Sequence, residues 1–160
     1  MADRKISVES MVNHQIGFTM PGSSIQKVWS KRGSKLSFNY DDLLEAYSIP
    51  GVEYFFKTGM LYTDDMEFKR EVGLEPEDAE EPVNVVKLDE GFMKRMVGPM
   101  PLSEFNEQMK KLSYDQRQSL VDYIVDHPNE LKMEKVDTIN KACNVNILRA
   151  LELDKAAKEE

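Results

Sequence analysis

The chain of 160 residues is 41% hydrophobic and 31% charged, a balance typical of a folded protein and too apolar for a disordered one. No apolar run approaches the roughly 20 residues that span a bilayer, and the charged start Met1–Lys5 leads into no apolar segment, so we predict neither membrane insertion nor a signal peptide. The single cysteine, Cys143, excludes an intrachain disulfide and fits a cytoplasmic location.

The net charge of −8 is unevenly distributed. Residues 1–74 carry 9 Lys and Arg against 10 Asp and Glu, giving −1, whereas residues 75–160 carry 12 against 19, giving −7. A surface that binds duplex DNA needs clustered cations that displace counterions from the phosphates. The acidic second part therefore suits solubility or docking onto a basic surface, and the asymmetry favours docking to protein surfaces over binding nucleic acid.

The first forty residues contain four short runs in which apolar and polar residues alternate, the pattern of half-buried strands. Asn13-His14 and the turn signal Pro21-Gly22-Ser23-Ser24 separate the first three runs, and Lys31-Arg32-Gly33-Ser34 precedes the fourth. We predict that the first two runs form a hairpin and that all four form a small antiparallel sheet or sandwich. The predicted strands are 5–12, 15–20, 25–30 and 35–40.

Short helices are predicted from the end of the fourth run onwards. Asn39 can cap a first helix that ends before Pro50-Gly51, and a second short helix follows. Met60-Leu61-Tyr62 predicts a further short strand. Thr63 can then cap a third helix that ends at Gly73.

The acidic segment 75–82, which begins Glu-Pro and ends Glu-Pro, is predicted to be an exposed linker. It separates a β-rich lobe with short helices, residues 1–74, from a helical lobe, residues 83–160. The predicted fold class is therefore α+β, with a small antiparallel β-rich N-terminal lobe followed by a helical C-terminal lobe.

The helical lobe opens with residues 83–86, which predict a short strand or an extended arm. Asp89 can cap the first helix, Ser113 and Gln116 form a capping box for a later one, and Asn146 can cap the last. The spacing of apolar residues predicts helices over 90–97, 101–112, 114–126, 130–143 and from 147 onwards.

Known motifs for catalysis or metal binding do not occur in the sequence. His14 and His127 lie in different halves, and one cysteine cannot form a zinc-binding thiolate cluster. There is no G-x-S-x-G nucleophile motif and no glycine-rich phosphate loop. We predict no enzymatic activity, no cofactor and no metal. A small enzyme would need a pocket that the sequence does not indicate.

A basic turn is the predicted protein-contact site of the first lobe. It groups four cations around the only tryptophan, and aromatic and arginine side chains are enriched at interface hot spots. The alternative interpretation is a solvated hairpin end around a core tryptophan. The candidate contact residues are Lys27, Trp29, Lys31, Arg32 and Lys35.

The segment 130–157 has the outline of a helix-turn-helix, which gives the alternative function of a DNA-binding regulator. A recognition helix presents Arg, Lys, Asn or Gln to base edges. The last helix offers Asn146 and Arg149 for this role, but acidic residues follow them. Two short packed helices are also a common structural element.

The order of these elements resembles that of uncharacterised virion-associated proteins of tailed phages and clostridial prophages. The resemblance rests on the paired strand Ile16–Phe18, the basic strand-turn Trp29–Leu36, the helix from Leu43 to the Pro50–Phe56 segment, and the final helix pair around Asn144-Val145-Asn146. Asn144 stands where the pattern has glycine, and both residue types adopt a left-handed backbone.

The resemblance implies a non-enzymatic component of a phage or phage-like particle, attached to the head, neck or tail. It carries over no catalytic residue. The implied partners are other protein subunits of a larger assembly, and the implied locations are the host cytoplasm and the virion.

Overall fold

The computed structural model describes residues 4–159, which divide into two compact units between Lys87 and Leu88. We call them the N-terminal and the C-terminal unit. Within these described residues, the N-terminal unit holds five strands and three short helices, and the C-terminal unit holds five α-helices. The predicted α+β class, with a β-rich N-terminal part and a helical C-terminal part, is confirmed.

The strands of the N-terminal unit form two separate antiparallel sheets. Strand β1 pairs with β4 on one side and with β5 on the other, whereas β2 pairs with β3. The five strands are β1 Lys5–Ser10, β2 Ile16–Thr19, β3 Gln26–Trp29, β4 Lys35–Asn39 and β5 Leu61–Tyr62.

The predicted hairpin between the first two strands is wrong. After Ser10 the chain enters the core instead of turning back, because Met11 and Val12 are buried. The Met11 N–H donates to the Met60 carbonyl at 2.9 Å, and the Ser10 hydroxyl accepts from the Val12 N–H at 3.3 Å. The turn at Asn13-His14 therefore connects two sheets.

Three helices follow β4, and one of them starts differently from the prediction. The side chain of Asp65, not Thr63, caps the third helix, because its carboxylate accepts the Phe68 N–H at 2.8 Å. Asn39 occupies the cap position of the first helix without a side-chain hydrogen bond to that helix's backbone. The helices are α1 Tyr40–Tyr47, α2 Val52–Lys57 and α3 Met66–Glu71.

Aromatic rings pack the helices of the N-terminal unit together. Phe68 of α3 lies with its ring centroid 5.8–6.4 Å from the rings of Tyr40, Tyr47 and Phe56. Phe56 and Phe68 are fully buried. Aromatic pairs at these distances add about 0.5–1.5 kcal/mol each to the stability gained from burial alone.

The predicted linker belongs to the N-terminal unit. The Glu75 side chain is buried, and its carboxylate accepts the backbone N–H groups of residues 83–85 at 2.8–3.1 Å. The intervening segment, residues 76–82, is mostly exposed, and we call it the acidic loop. Residues 83–86 form no strand. The boundary between the two units therefore lies after this closed loop, at Lys87, and not within the loop.

The C-terminal unit consists of helices whose ends match the predicted caps. Asp89 accepts the Phe92 N–H at 2.8 Å, and Ser113 and Gln116 form the capping box. The predicted helix over 130–143 starts only at Val136, after two short 3₁₀ turns. The helices are α4 Glu90–Val97, α5 Leu102–Lys111, α6 Tyr114–Asp126, α7 Val136–Cys143 and α8 Ile147–Glu159.

Methionines and one lysine fill the core of the C-terminal unit. Met93, Met96 and Phe105 are fully buried. Lys135 is also fully buried, and its ammonium donates to the carbonyls of Met96 and Gly98 at 2.5 and 2.8 Å. Desolvation lowers the pKa of Lys135, but the ammonium satisfies carbonyls that the end of α4 leaves open.

Candidate protein-interaction surface

The β2–β3 hairpin of the N-terminal unit is closed by a tight, exposed turn. Gly22 adopts a φ of 71° in its turn, a conformation that favours glycine. The Met20 N–H donates to the Ile25 carbonyl at 2.8 Å, and the Ser23 hydroxyl accepts the Ile25 N–H at 3.2 Å. These bonds close the turn that Pro21-Gly22-Ser23-Ser24 predicted.

The inner face of the hairpin anchors it to the three-stranded sheet. Trp29 is fully buried, and its indole N–H donates to the Val8 carbonyl of β1 at 3.0 Å. The rings of Phe18, Trp29 and Phe38 lie 5.7–6.2 Å apart. Trp29 was predicted as a protein-contact residue, but its burial excludes that role. The burial supports the alternative interpretation, a core tryptophan.

The outer face of the hairpin carries a shallow neutral groove of about 270 Å³. Gly17 lies opposite Val28 in the register, and a Cβ at Gly17 would come within 2.5 Å of the Lys27 carbonyl oxygen. Glycine is thus required for the two strands to approach each other here. The groove is lined by Gln15, Ile16, Gly17, Phe18, Thr19, Gln26 and Val28.

Two apolar side chains of the hairpin point to solvent. Ile25 is 59% exposed and Val28 is 40% exposed. Among the described strands, β2 pairs only with β3. The hairpin therefore combines exposed apolar surface with a strand edge to which a partner strand could add.

The four cations of the predicted contact site lie in different surroundings. Lys31 and Lys35 are exposed, and Lys35 pairs with Glu9 at 3.5 Å. Lys27 lies over the Phe38 ring at 5.3 Å, and the Arg32 guanidinium donates to the Met11 carbonyl at 3.1 Å. All four border the hairpin or the turn after it. We call Lys27, Lys31, Arg32 and Lys35 the basic rim.

The basic rim lies in a long segment without carboxylates. Residues 10–40 contain four Lys and Arg and no Asp or Glu, giving +4, whereas the whole chain carries −8. The other residues therefore sum to −12. This signal is readable in the sequence, but it disappears when charge is averaged over residues 1–74, because residues 41–74 carry 8 acids against 3 cations and sum to −5.

A second concave region, of about 410 Å³, lies on the solvent face of the three-stranded sheet. Its charged groups largely neutralise one another, since Lys87 pairs with Asp64 at 3.2 Å and Lys35 with Glu9. The region is lined by Lys5, Ile6, Ser7, Glu9, Lys35, Tyr62, Thr63, Asp64, Asp65 and Lys87.

A buried tyrosine and lysine lie beneath this region. The Tyr62 hydroxyl accepts a hydrogen bond from the Lys69 ammonium at 3.1 Å, and both residues are buried. Burial raises the pKa of Tyr62 to about 12 and lowers the pKa of Lys69. The pair joins β5 to α3 and has a clear structural role.

The α7–α8 pair uses its candidate DNA contacts internally. The Asn146 side chain accepts the Arg149 N–H at 3.1 Å and caps α8, and the Arg149 guanidinium pairs with Glu152 at 3.4 Å. Asn144 adopts the predicted left-handed conformation, with φ at 55°. The geometry of a helix-turn-helix is therefore present, but its two best polar groups have partners within α8.

No protein-family model matches the chain, and neither a curated protein nor a solved structure is significantly similar to it. Within the described residues, no helix has the length and apolarity needed to cross a bilayer. The same residues bring together no group of three His, Cys, Asp or Glu side chains that could hold a metal ion.

Proposed function

We propose that the protein is a non-enzymatic component of a larger protein assembly, a phage or phage-like particle, and that it docks through the β2–β3 hairpin. The observation that carries this proposal is the contrast between the two faces of the hairpin. Trp29 fixes the inner face to the core, while the outer face exposes Ile25 and Val28 beside an open groove.

A fixed hairpin is well suited to docking because little conformational entropy is lost when it binds. A partner strand added to β2 would gain backbone hydrogen bonds, and its side chains could fill the groove above Gly17. Burying an exposed Ile or Val contributes about 1.5–3 kcal/mol. Loss of both side chains should therefore weaken binding at least about tenfold.

The test uses the full-length protein, tagged and produced in the cell that encodes it, with particles separated on a density gradient. We expect the wild-type protein to sediment with the particles. We expect Ile25→Ser/Val28→Ser to shift most of it to the free fraction.

The chain provides a matched control on α8. Leu153 is 56% exposed and Leu148 is 39% exposed, almost the same values as for the two hairpin residues. Leu148→Ser/Leu153→Ser should leave sedimentation unchanged. The proposal is wrong if the wild-type protein stays free while particles assemble normally, or if only the α8 variant is lost from them.

The alternative function, a DNA-binding regulator, predicts a different result. Its signature would be binding to mixed duplex DNA with a steep salt dependence that Arg149→Glu removes. The internal partners of Asn146 and Arg149 argue against this outcome.

A further inference from the structure

Charge is sharply segregated within the N-terminal unit. The basic rim lies in a segment without carboxylates, and the acidic loop lies in a segment, residues 71–86, without Lys or Arg. The exposed carboxylates of the acidic loop are Glu77, Asp78, Glu80 and Glu81. One chain thus offers two surfaces of opposite sign, although Glu9 of β1 offsets one of the four cations of the basic rim by pairing with Lys35.

Both surfaces are held in place by hydrogen bonds. Glu75 closes the acidic loop at its base, and Arg70 donates to the Ala79 carbonyl at 2.9 Å. The turn that carries Lys31 is tied to β1, since the Gly33 N–H donates to the Ser10 carbonyl at 2.9 Å. Preorganised surfaces lose less entropy on association than mobile ones.

The two surfaces do not neutralise each other within one copy. In the described part of the chain, none of the four carboxylates of the acidic loop has an ion-pair partner. Other exposed acids of the unit do have one, such as Glu53 with Lys57. The acidic loop is therefore available to cations of another molecule.

We propose that the basic rim and hairpin of one copy dock against the acidic loop of a second copy of this chain. This inference rests on the proposed role of the hairpin as a docking element. Because the two surfaces differ, a pair of copies keeps one free acidic loop and one free basic rim. Such head-to-tail contacts generate rings or filaments, the arrangement expected of a subunit in a larger assembly.

The test is sedimentation velocity on the full-length protein over a range of concentrations, in low salt and at about 0.5 M salt, where screening shortens the range of charge interactions to a few ångströms. We expect concentration-dependent association in low salt that weakens at least tenfold in high salt. A wild-type protein that stays monomeric in low salt at all concentrations would overturn the proposal.

Charge reversal identifies the two surfaces. Lys31→Glu/Lys35→Glu lowers the net charge of the basic rim from +4 to zero and should abolish association, as should Glu77→Lys/Glu80→Lys, which brings the acidic loop from −4 to zero. Lys155→Glu/Lys158→Glu on α8 is the control and should behave as wild type. Unchanged Trp29 emission verifies folding of each variant, and association that is unchanged in either double variant counts against the proposal.

The outcome is separable from that of the particle experiment. A monomeric protein that still sediments with particles would remove self-association and keep the proposed function. A protein that self-associates but never enters particles would keep self-association and remove the proposed function.

Discussion

The β2–β3 hairpin of the N-terminal unit and helix α8 of the C-terminal unit both expose apolar side chains. They differ in the net charge and the ion pairing of the residues around those side chains. On α8, Arg149 pairs with Glu152, and Lys158 pairs with Asp154 at 2.9 Å. The residues of α8 sum to zero charge. The hairpin, the turn after it and the start of β4 carry four cations within a segment that contains no acid, and only Lys35 pairs with an acid from outside that segment, Glu9, among the ion pairs described above.

This difference indicates which surface is suited to binding. Local ion pairs on a helix contribute little to stability, but they leave no net field that could attract a partner. A surface of one sign does produce such a field and accelerates association with an oppositely charged partner. Exposed leucines on α8 are thus weaker evidence for an interface than the equally exposed Ile25 and Val28.

The largest expected effect concerns the anchoring of the hairpin. Trp29→Ala should lower the free energy of unfolding by about 3–5 kcal/mol, because it leaves a large cavity and an unpaired Val8 carbonyl. Tyr114→Ala, at a residue that is 73% exposed, should change it by less than about 0.5 kcal/mol. Urea unfolding followed by circular dichroism measures both, and similar values for the two variants would remove the claim that Trp29 holds the hairpin.

A pH effect should distinguish the buried Tyr62 of the N-terminal unit from an exposed tyrosine. Because burial raises its pKa from 10 to about 12, Tyr62 stabilises the fold below pH 10, and this stability is lost as the pH rises towards 12. The loss amounts to roughly 2 kcal/mol.

Unfolding monitored through Trp29 at several pH values should show this decline in the wild-type protein and in Tyr114→Phe, and a smaller decline in Tyr62→Phe. If the free energy of unfolding declines equally with pH in all three proteins, Tyr62 is not the source of the decline. Tyr62→Phe also removes the hydroxyl to which Lys69 donates, so the comparison is made above pH 10.5, where the contribution of Lys69, whose pKa is lowered, no longer changes with pH.

Two glycine-to-alanine substitutions, one in each unit, should change the free energy of unfolding in opposite directions. Gly17→Ala should destabilise by about 1–3 kcal/mol, because its Cβ would collide with the backbone of β3. Gly91→Ala in α4 should stabilise by about 0.5–1 kcal/mol, since its nearest neighbour would be 3.7 Å away and alanine favours a helix. Thermal unfolding of both variants tests this, and a neutral Gly17→Ala would mean that the strands can separate at the groove without cost.

The smallest effect concerns the alternative DNA contacts. Asn146→Ala should lower the free energy of unfolding by about 1 kcal/mol, because a helix cap is lost. Arg149→Ala should lower it by less than about 0.5 kcal/mol. Denaturant unfolding of the C-terminal unit, followed by circular dichroism, provides the values. If Asn146→Ala costs nothing, its side chain does not serve as a cap and becomes available to a ligand.

Features set by neighbouring residues were predictable from the sequence. The caps at Asp89 and Ser113 and the left-handed Asn144 follow from local chemistry and occur as expected. The strand positions also follow from alternation, to within two residues.

Features that depend on distant residues were not predictable. The pairing of β1 with β4, in which Ile6 lies opposite Phe38, joins residues 26 to 34 positions apart, and no turn signal encodes it. The burial of Glu75 depends on three backbone N–H groups eight to ten residues later. For the candidate surface, the four cations and the turn were found, but the burial of Trp29 and the exposure of Ile25 depend on which face of the hairpin meets the core.

Hydrogen–deuterium exchange tests the central claim, that the hairpin is the docking element, most directly. Deuterium uptake of the full-length protein would be compared between its particle-bound and released forms. We predict slower exchange in peptides that cover residues 15–29 and unchanged exchange in those that cover residues 147–159. Protection confined to the α8 peptides would contradict the account.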